Sequence, residues 1–378
     1  MDIKHLYIEP TSHCNLQCEM CSRNHWQNEA IAHMDTAMFN KLMDEIPPSV
    51  ERIFFGGIGE PLTHPDILHM VARAAQTGRR VEMITNGTLL TEETSQALVA
   101  AGLKMLWVSL DSLDEASYAA IRKGGALGGV MANIRSYNTV RKSNIGPHRT
   151  GVNRPLPLSY LGIAFVLMKK NLPDFQRLVS QAEALEIDEI RATHLLPYDA
   201  EQEKEVLYRK MLDTRLYREK TPYLINVDLP LMAPADIEAL GVLQVFSNSN
   251  TTLSIMNEQV ARKANHCRFI DDAYVFVRWD GTVCPCMALL HDNQVYQHGR
   301  ARQIRHSGYG NIANASLQQI WDGEEYTAFR HRVEHFAFSP CVSCGACDMY
   351  DTNAEDCFGN LFPTCGGCLW SEGLFQCP

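Results

Sequence analysis

The sequence predicts an α/β fold in which parallel strands alternate with helices, followed by a cysteine-rich, irregular C-terminal region. Three observations predict it. Six short runs rich in β-branched and aromatic residues, at 5–9, 52–55, 80–85, 105–109, 161–168 and 189–194, alternate with stretches of helical period. Such alternation makes parallel strands joined by right-handed crossovers. Ten of the thirteen cysteines lie from Cys267 onward, and little helical period remains after Pro340. Hydrophobic residues make up 46% and charged residues 21% of the 378, an ordinary globular composition that excludes a mainly disordered chain. An open parallel sheet and a partial barrel both fit, and each places chemistry at the carboxyl ends of its strands.

The helices expected between the strands run over 36–45, 65–77, 92–101, 115–121 with a continuation to about 140, and 173–185. Thr91 stands as an N-cap before a helix-period run, and Pro65 and Pro173 suit a first helical turn. Residues 143–157 carry Asn, Gly, Pro and Arg without period and read as a long loop. Residues 200–220 are dense in both signs of charge, which suits an exposed helix, and 222–258 read as a bridge rich in Pro, Asn and Ser. The expected division is therefore a barrel or sheet domain over 1–199, a helical insert and bridge over 200–260, and a cysteine-rich domain over 261–378.

Net charge is −10 and basic residues form no block, which disfavours nucleic acid as a partner. The longest apolar stretch, 160–168, is far short of the roughly 20 residues that span a bilayer, so no membrane association is expected. The first residues show no basic leader with a long apolar region, and a cytoplasmic location is expected. With an odd cysteine count and tight spacings, bound metal is expected rather than a disulfide framework.

Cys14-x3-Cys18-x2-Cys21 follows directly on the first strand. Three thiolates within eight residues can converge on one metal centre and leave it one ligand short. A cubane iron–sulfur cluster takes four thiolates, so three would leave one iron open for chemistry. The alternative is a zinc knuckle completed by His13 or His25, although x3 followed by x2 is not a usual zinc spacing. The second strand ends in Gly56-Gly57-Ile58-Gly59-Glu60-Pro61, where glycines permit close backbone approach and a carboxylate can hold an amine. Thr85-Asn86-Gly87 ends the third strand and Ser109-Leu110-Asp111-Ser112 the fourth. All four features stand in the order that a strand-end site requires.

These residues, over roughly 4–195, resemble the radical S-adenosylmethionine (radical SAM) enzymes. The resemblance implies a partial (β/α)6, TIM-like barrel with a [4Fe–4S] cluster on Cys14, Cys18 and Cys21. It implies that the turn of Gly57, Gly59 and Glu60 meets the amine of S-adenosylmethionine (SAM). Asn86, Ser109, Asp111 and Arg122 are further expected cofactor contacts, Arg122 either at the cofactor carboxylate or as a surface arginine. In such enzymes the reduced cluster cleaves SAM to methionine and a 5′-deoxyadenosyl radical that abstracts hydrogen from substrate. One departure is Met20, where the family usually has an aromatic residue before the last cysteine. His64 is expected in a turn contact, and Trp26 and Trp107 in packing.

The C-terminal candidates for metal are Cys267, Cys286, Cys341, Cys344, Cys347, Cys357, Cys365, Cys368 and Cys377, with Cys284 between the first two. Cys344-x2-Cys347-x17-Cys365-x2-Cys368 satisfies a zinc-ribbon spacing. Six further cysteines in the region favour iron–sulfur, since ten thiolates hold two four-ligand clusters with two left over. Cys267-x13-Gly281-x4-Cys286 with a dense terminal array is similar to the auxiliary-cluster extension called SPASM. The usual spacing of that extension would put a cysteine where this chain has Tyr350. The ending, from Cys357-Phe358-Gly359-Asn360 to Gln376-Cys377-Pro378, looks most like radical maturases associated with tungsten-containing aldehyde ferredoxin oxidoreductases.

The resemblance implies a protein, peptide or cofactor substrate, a tungsten-containing aldehyde oxidoreductase among the clients, and a low-potential electron donor such as ferredoxin or flavodoxin. The alternatives are a peptide maturase that makes thioether or carbon–carbon crosslinks, and a non-enzymatic iron–sulfur carrier or scaffold. The intact Glu60 turn argues against a carrier, which has no need of a cofactor amine site.

Overall fold

A computed structural model describes residues 1–26, 28–143, 158–208, 252–255, 267–297, 299–343, 347–371 and 375. In chain order the strands are β1 (His5–Ile8), β2 (Gln17–Cys18), β3 (Arg52–Phe55), β4 (Arg80–Thr85), β5 (Met105–Ser109) and β6 (Arg122–Lys123). They continue with β7 (Tyr160–Leu167), β8 (Glu189–His194), β9 (Thr252–Ile255), β10 (Tyr274–Val277), β11 (Val283–Cys284), β12 (Asn293–Gln297) and β13 (Arg300–Ile304). The helices are α1 (Thr36–Asp44), α2 (Ile67–Gln76), α3 (Glu92–Ala100), α4 (Glu115–Ile121), α5 (Leu127–Ser143), α6 (Leu172–Gln181) and α7 (Ala200–Glu203). The C-terminal region adds α8 (Arg268–Asp271), α9 (Leu317–Trp321) and α10 (Glu324–His335).

Nine strands form one sheet in the order β11-β10-β1-β3-β4-β5-β7-β8-β9. Every neighbouring pair is parallel except β10 with β11, and among the described residues the outer strands β11 and β9 do not meet. The result is an unclosed, mainly parallel α/β barrel, as expected. All six expected strands are present, each within one residue of its expected bounds.

The differences have local causes. The helix expected to run from 115 to about 140 breaks after Ile121, because Gly124 takes φ +96°, which no helix tolerates. The Glu115 carboxylate then accepts from the Leu127 and Gly128 amides at 3.1 and 3.2 Å and starts α5 afresh. The loop expected at 143–157 lies outside the described residues from 144 onward. Of the helix expected at 200–220, Ala200–Glu203 is helical and the part from 209 lies outside the described residues. Within the stretch expected as a bridge, Thr252–Ile255 is a strand parallel to β8. The region after Cys267 begins not with irregular chain but with α8 and with β10, laid parallel along β1 in the register His5 to Tyr274. Tyr-Val-Phe-Val of β10 is buried on both faces, the pattern of a covered parallel strand rather than an alternating one.

Alternation along the inner strands sorts two cores. Leu6, Ile53, Val81, Leu106 and Leu161 join the helix-side core. Tyr7, Phe54, Trp107 and Phe276 form the opposite one, against which Cys267, Cys286 and Trp370 of the C-terminal region also pack. Trp107 fills that face because Gly162 opposite has no side chain, since a Cβ there would lie 2.4 Å from the indole. No described helix is long and apolar enough to cross a membrane.

One buried ion cluster ties the C-terminal region to the end of β1. His291 donates from Nε2 to Glu9 at 2.9 Å and from Nδ1 to Glu29 at 3.0 Å, beneath Trp26. Burial alone would pull the imidazole pKa down, but the hydrogen bonds to Glu29 and Glu9 outweigh it and push it up to about 9. The folded value lies above the ordinary value of about 6.5, so the stabilisation is full below that pH and is lost as pH rises to about 9. In anaerobic denaturation, His291→Gln should therefore cost on the order of 3 kcal/mol near pH 6 and little at pH 9.5. A cost independent of pH would mean that the imidazole is neutral in the folded chain.

Candidate functional site

The chain leaves β1 through Glu9 and Pro10 and enters the first cysteine loop, which is shaped by the turn after β3. At Gly59 a Cβ would lie 2.1 Å from the Thr11 carbonyl and 2.7 Å from that of His13, so the two backbones touch. The Glu60 amide donates to the His13 carbonyl at 2.8 Å. Gly57 takes φ +102° and its amide donates to the Tyr7 hydroxyl at 3.1 Å. The expected need for glycine is thus met within the protein, by the cysteine loop and the Tyr7 and Glu9 side chains.

Cys18 lies in β2, paired with Arg122 of β6, and the Cys21 amide donates to the Cys18 carbonyl at 3.1 Å. Cys14, Cys18 and Cys21 are half-buried free thiols that act on one another electrostatically. Burial pushes all three up, Cys21 to about 11, so a bare thiolate is disfavoured there and a metal that displaces the proton is favoured. Three donors already face the sulfurs: Arg122 Nη1 at 3.8 Å from Cys18 Sγ, and the Leu16 amide at 3.4 Å and Asn86 Nδ2 at 3.9 Å from Cys14 Sγ. The thiol set with its surrounding donors fits a thiolate-bound cluster. Of the two histidines named in the zinc-knuckle alternative, His25 turns to Asp199 at 3.6 Å and the His13 ring lies 5.9 Å from that of His33.

Glu60 is buried and already well partnered. Its Oε1 accepts from Thr85 Oγ1 at 2.7 Å and from the Leu62 amide at 3.1 Å, and its Oε2 from the Asn86 amide at 2.6 Å. Burial nonetheless raises its pKa. The carboxylate therefore joins the turn after β3 to the end of β4. Asn86 also donates to Asn15 Oδ1 at 2.8 Å, which brings it to the cysteine loop. Asp111 is fully buried at the end of β5, accepts from the Val166 amide at 2.7 Å, and pairs with Arg122 at 2.5 Å. Arg122 is thus no surface residue; it stands between Asp111 and Cys18. Ser109 is half-buried at the strand end. Met20 packs beside the Ile121–Met168–Leu195 cluster. His64 turns away to the Met34 carbonyl at 2.9 Å, and Trp107 Nε1 donates to Glu82 at 3.2 Å.

The C-terminal thiols divide into groups that spacing does not show. Cys267, Cys286, Cys365 and Cys368 interact electrostatically in every pair, and burial pushes Cys267 up to about 12 and Cys286 and Cys365 well above the ordinary thiol value. Four buried thiols gathered in this way match the donor set of a four-iron cluster. The pair Cys365 and Cys368 therefore gathers with Cys267 and Cys286, against the zinc-ribbon spacing. Cys341 and Cys357 form a second group, and Cys347 is exposed. Cys344 and Cys377 lie outside the described residues. Cys284 is fully buried in β11, within the core.

A cleft of about 840 Å³, counted to its open mouth, runs past both regions. Ser22, next to Cys21, and Ile58 of the glycine turn line it, and so do Cys286, Cys365 and Cys368. His291 and Arg302 also face it. Neither was singled out from the sequence, where a lone histidine or arginine carries no pattern. Glu9 did carry a signal, as a carboxylate at a strand end just before the cysteines.

Comparison with known proteins agrees with this geometry. Residues 8–146 match the radical SAM superfamily, and residues 267–348 match SPASM, an iron–sulfur cluster-binding domain. A tungsten-containing aldehyde ferredoxin oxidoreductase cofactor-modifying protein of Pyrococcus furiosus is 31% identical over 382 residues, spanning 100% of this chain and 97% of the relative. Among solved structures, Streptococcus suis SuiB bound to S-adenosylmethionine shares the fold with a TM-score of 0.59 at 16% identity, covering 91% of this chain and 71% of that one. Native anSMEcpe with bound AdoMet gives a TM-score of 0.59 at 15% identity, covering 90% and 86%. The superfamily brings a [4Fe–4S] cluster and SAM, and the SPASM extension binds auxiliary iron–sulfur clusters. With similarity to a relative along its whole length and both domains present, the chain belongs to the radical SAM superfamily, as an iron–sulfur enzyme with a SPASM extension.

Proposed function

We propose that this enzyme starts radical chemistry at Cys14, Cys18 and Cys21 and directs it at a cofactor-sized substrate, in maturation of a tungsten-containing oxidoreductase or its cofactor. The observation that carries this reading is one cleft lined by Ser22, next to Cys21, and Ile58 of the glycine turn, and also by Cys286, Cys365 and Cys368. The substrate class is supported by the Pyrococcus furiosus relative, whose name states that it modifies such a cofactor.

On this reading Cys14, Cys18 and Cys21 hold the open cluster, and Cys267, Cys286, Cys365 and Cys368 hold an auxiliary one. Cys341 and Cys357 belong to a second centre, joined by Cys344 and Cys347 on spacing alone. Cys284 and Cys377 are then the two left over. The division into a barrel over 1–199, an insert over 200–260 and an auxiliary-cluster domain over 261–378 is part of the same proposal.

When bound, the reduced cluster and SAM supply a hydrogen-abstracting radical. The chain's own residues place and shield it. Glu60 keeps acceptor capacity on Oε2 for an ammonium after satisfying Thr85, Leu62 and Asn86. Arg122, held by Asp111, keeps a positive charge beside Cys18. Leu196, Met287, Leu289 and Trp370 give the cleft apolar walls that limit water. Electrons come from a low-potential donor such as ferredoxin or flavodoxin.

Replacing Cys14, Cys18 and Cys21 together by Ala should abolish 5′-deoxyadenosine formation and remove about four irons per chain, leaving the C-terminal signals visible. Undiminished cleavage would rule the assignment out. Glu60→Gln puts an amide donor against either the Asn86 amide or the Thr85 hydroxyl, so it should cost about 1–3 kcal/mol of stability and also weaken SAM binding. Thr85→Val removes only one donor and should leave SAM affinity nearly unchanged. Equal losses of affinity in calorimetric titrations of the two variants would make Glu60 a structural clamp alone. For the substrate, anaerobic enzyme with SAM, a reductant and the tungsten oxidoreductase client should change the mass of the client's cofactor. A change confined to a small precursor peptide would instead favour the peptide-maturase alternative.

A further inference from the structure

Arg302 sits on β13 with 1% of its surface exposed. Its Nε and Nη1 are buried without a hydrogen-bond partner, and among the described residues no carboxylate pairs with it. Arginine cannot shed its charge by losing a proton, so a buried guanidinium without an anion is costly. The surroundings have nevertheless been shaped to receive it. At Gly367, between Cys365 and Cys368, a Cβ would fall 1.2 Å from Arg302 Nη1, so only glycine leaves room for the guanidinium on that loop. On another side the Tyr350 ring lies beneath it, 5.2 Å from the guanidinium carbon to the ring centroid. The Tyr350 ring is itself fully buried, and its hydroxyl donates to Gln297. Position 350 is the one where the usual spacing of a SPASM extension has cysteine, so an aromatic support for a cation stands in place of a ligand.

Sulfurs flank it: Arg302 shares one cleft wall with Cys286, Cys365 and Cys368. Arg332 and, less strongly, Arg302 act electrostatically on Cys365, and Arg302 acts also on Cys341. We propose that Arg302 is a counter-charge of the Cys267–Cys286–Cys365–Cys368 centre and sets the potential at which that centre takes electrons. This rests on the reading that those thiols carry iron–sulfur clusters. A fixed positive charge stabilises the more negative, reduced state of a nearby cluster and raises its potential. Arg302 is then a positioning residue for charge, with no contact to the reacting atoms.

The test is a spectroscopically monitored redox titration of the reconstituted full chain. Arg302→Gln should hold the same iron as wild type and lower the C-terminal midpoint potentials by at least a tenfold change in the one-electron equilibrium, about 59 mV. The signal that disappears in the Cys14, Cys18 and Cys21 variant should not move. Should Arg302→Gln fail to hold C-terminal iron, Arg302→Met carries the test, since it also removes the charge, on an unbranched apolar side chain, and should lower the potentials by the same amount. Full iron with unmoved potentials in the variant tested overturns the proposal. A wild-type chain without C-terminal iron fails the underlying reading, and the iron measurement alone separates that result from the others.

Discussion

The first cysteine loop is held in place by one backbone contact. The turn after β3 presses on the cysteine loop so closely that Gly59 has no space for a side chain against the Thr11 and His13 carbonyls. The Glu60 amide locks that contact through His13, and the Glu60 carboxylate extends it to the end of β4. A loop of three cysteines would otherwise be an ordinary mobile connection. Clamped between two strand ends, it presents its sulfurs in one place, and Asn86 and Arg122 are carried to them by the neighbouring strands. Parallel order in the sheet is what brings those strand ends side by side.

Burial of sulfur then sets the electrostatics. The first three thiols and the Cys267–Cys286–Cys365 group lie where ionisation without a metal is unfavourable, and a buried arginine acts on each, Arg122 on Cys18 and Arg302 on Cys365. The two arginines are treated differently. Arg122 is neutralised by Asp111, so its net influence on Cys18 is that of a paired ion. Arg302 is not neutralised and bears on sulfurs of two groups. The same side chain therefore serves as a local hydrogen-bond donor in one place and as a longer-range field source in the other.

The cleft exists because the end of the chain returns to its beginning. β10 adds to the free edge of β1, and the His291 cluster with Glu9 and Glu29 fastens the following segment over the cysteine loop. Cys267 and Cys286 pack on the inner face of the sheet against the core around Tyr7 and Trp107. The cleft is therefore walled by Ser22 and Ile58 from the first part of the chain and by Cys286, Cys365 and Cys368 from the last.

Much of this was legible in the sequence, because the signals were local. Strand and helix period depend on neighbouring residues, and all six central strands were readable to within one residue. So were Cys14, Cys18 and Cys21, since their spacing alone allows three sulfurs to converge. The partnership of Cys365 and Cys368 with Cys267 and Cys286 was not readable, because about eighty residues separate the pairs and a zinc-like spacing lay nearer along the chain. Nor were Arg302 and His291, since a single charged side chain has no period and its role depends on what the fold buries around it. Residue types and short spacings determined which chemistry is available; only the tertiary structure decided which thiols share a site and which charges face them, because burial and electrostatic coupling act through space rather than along the chain.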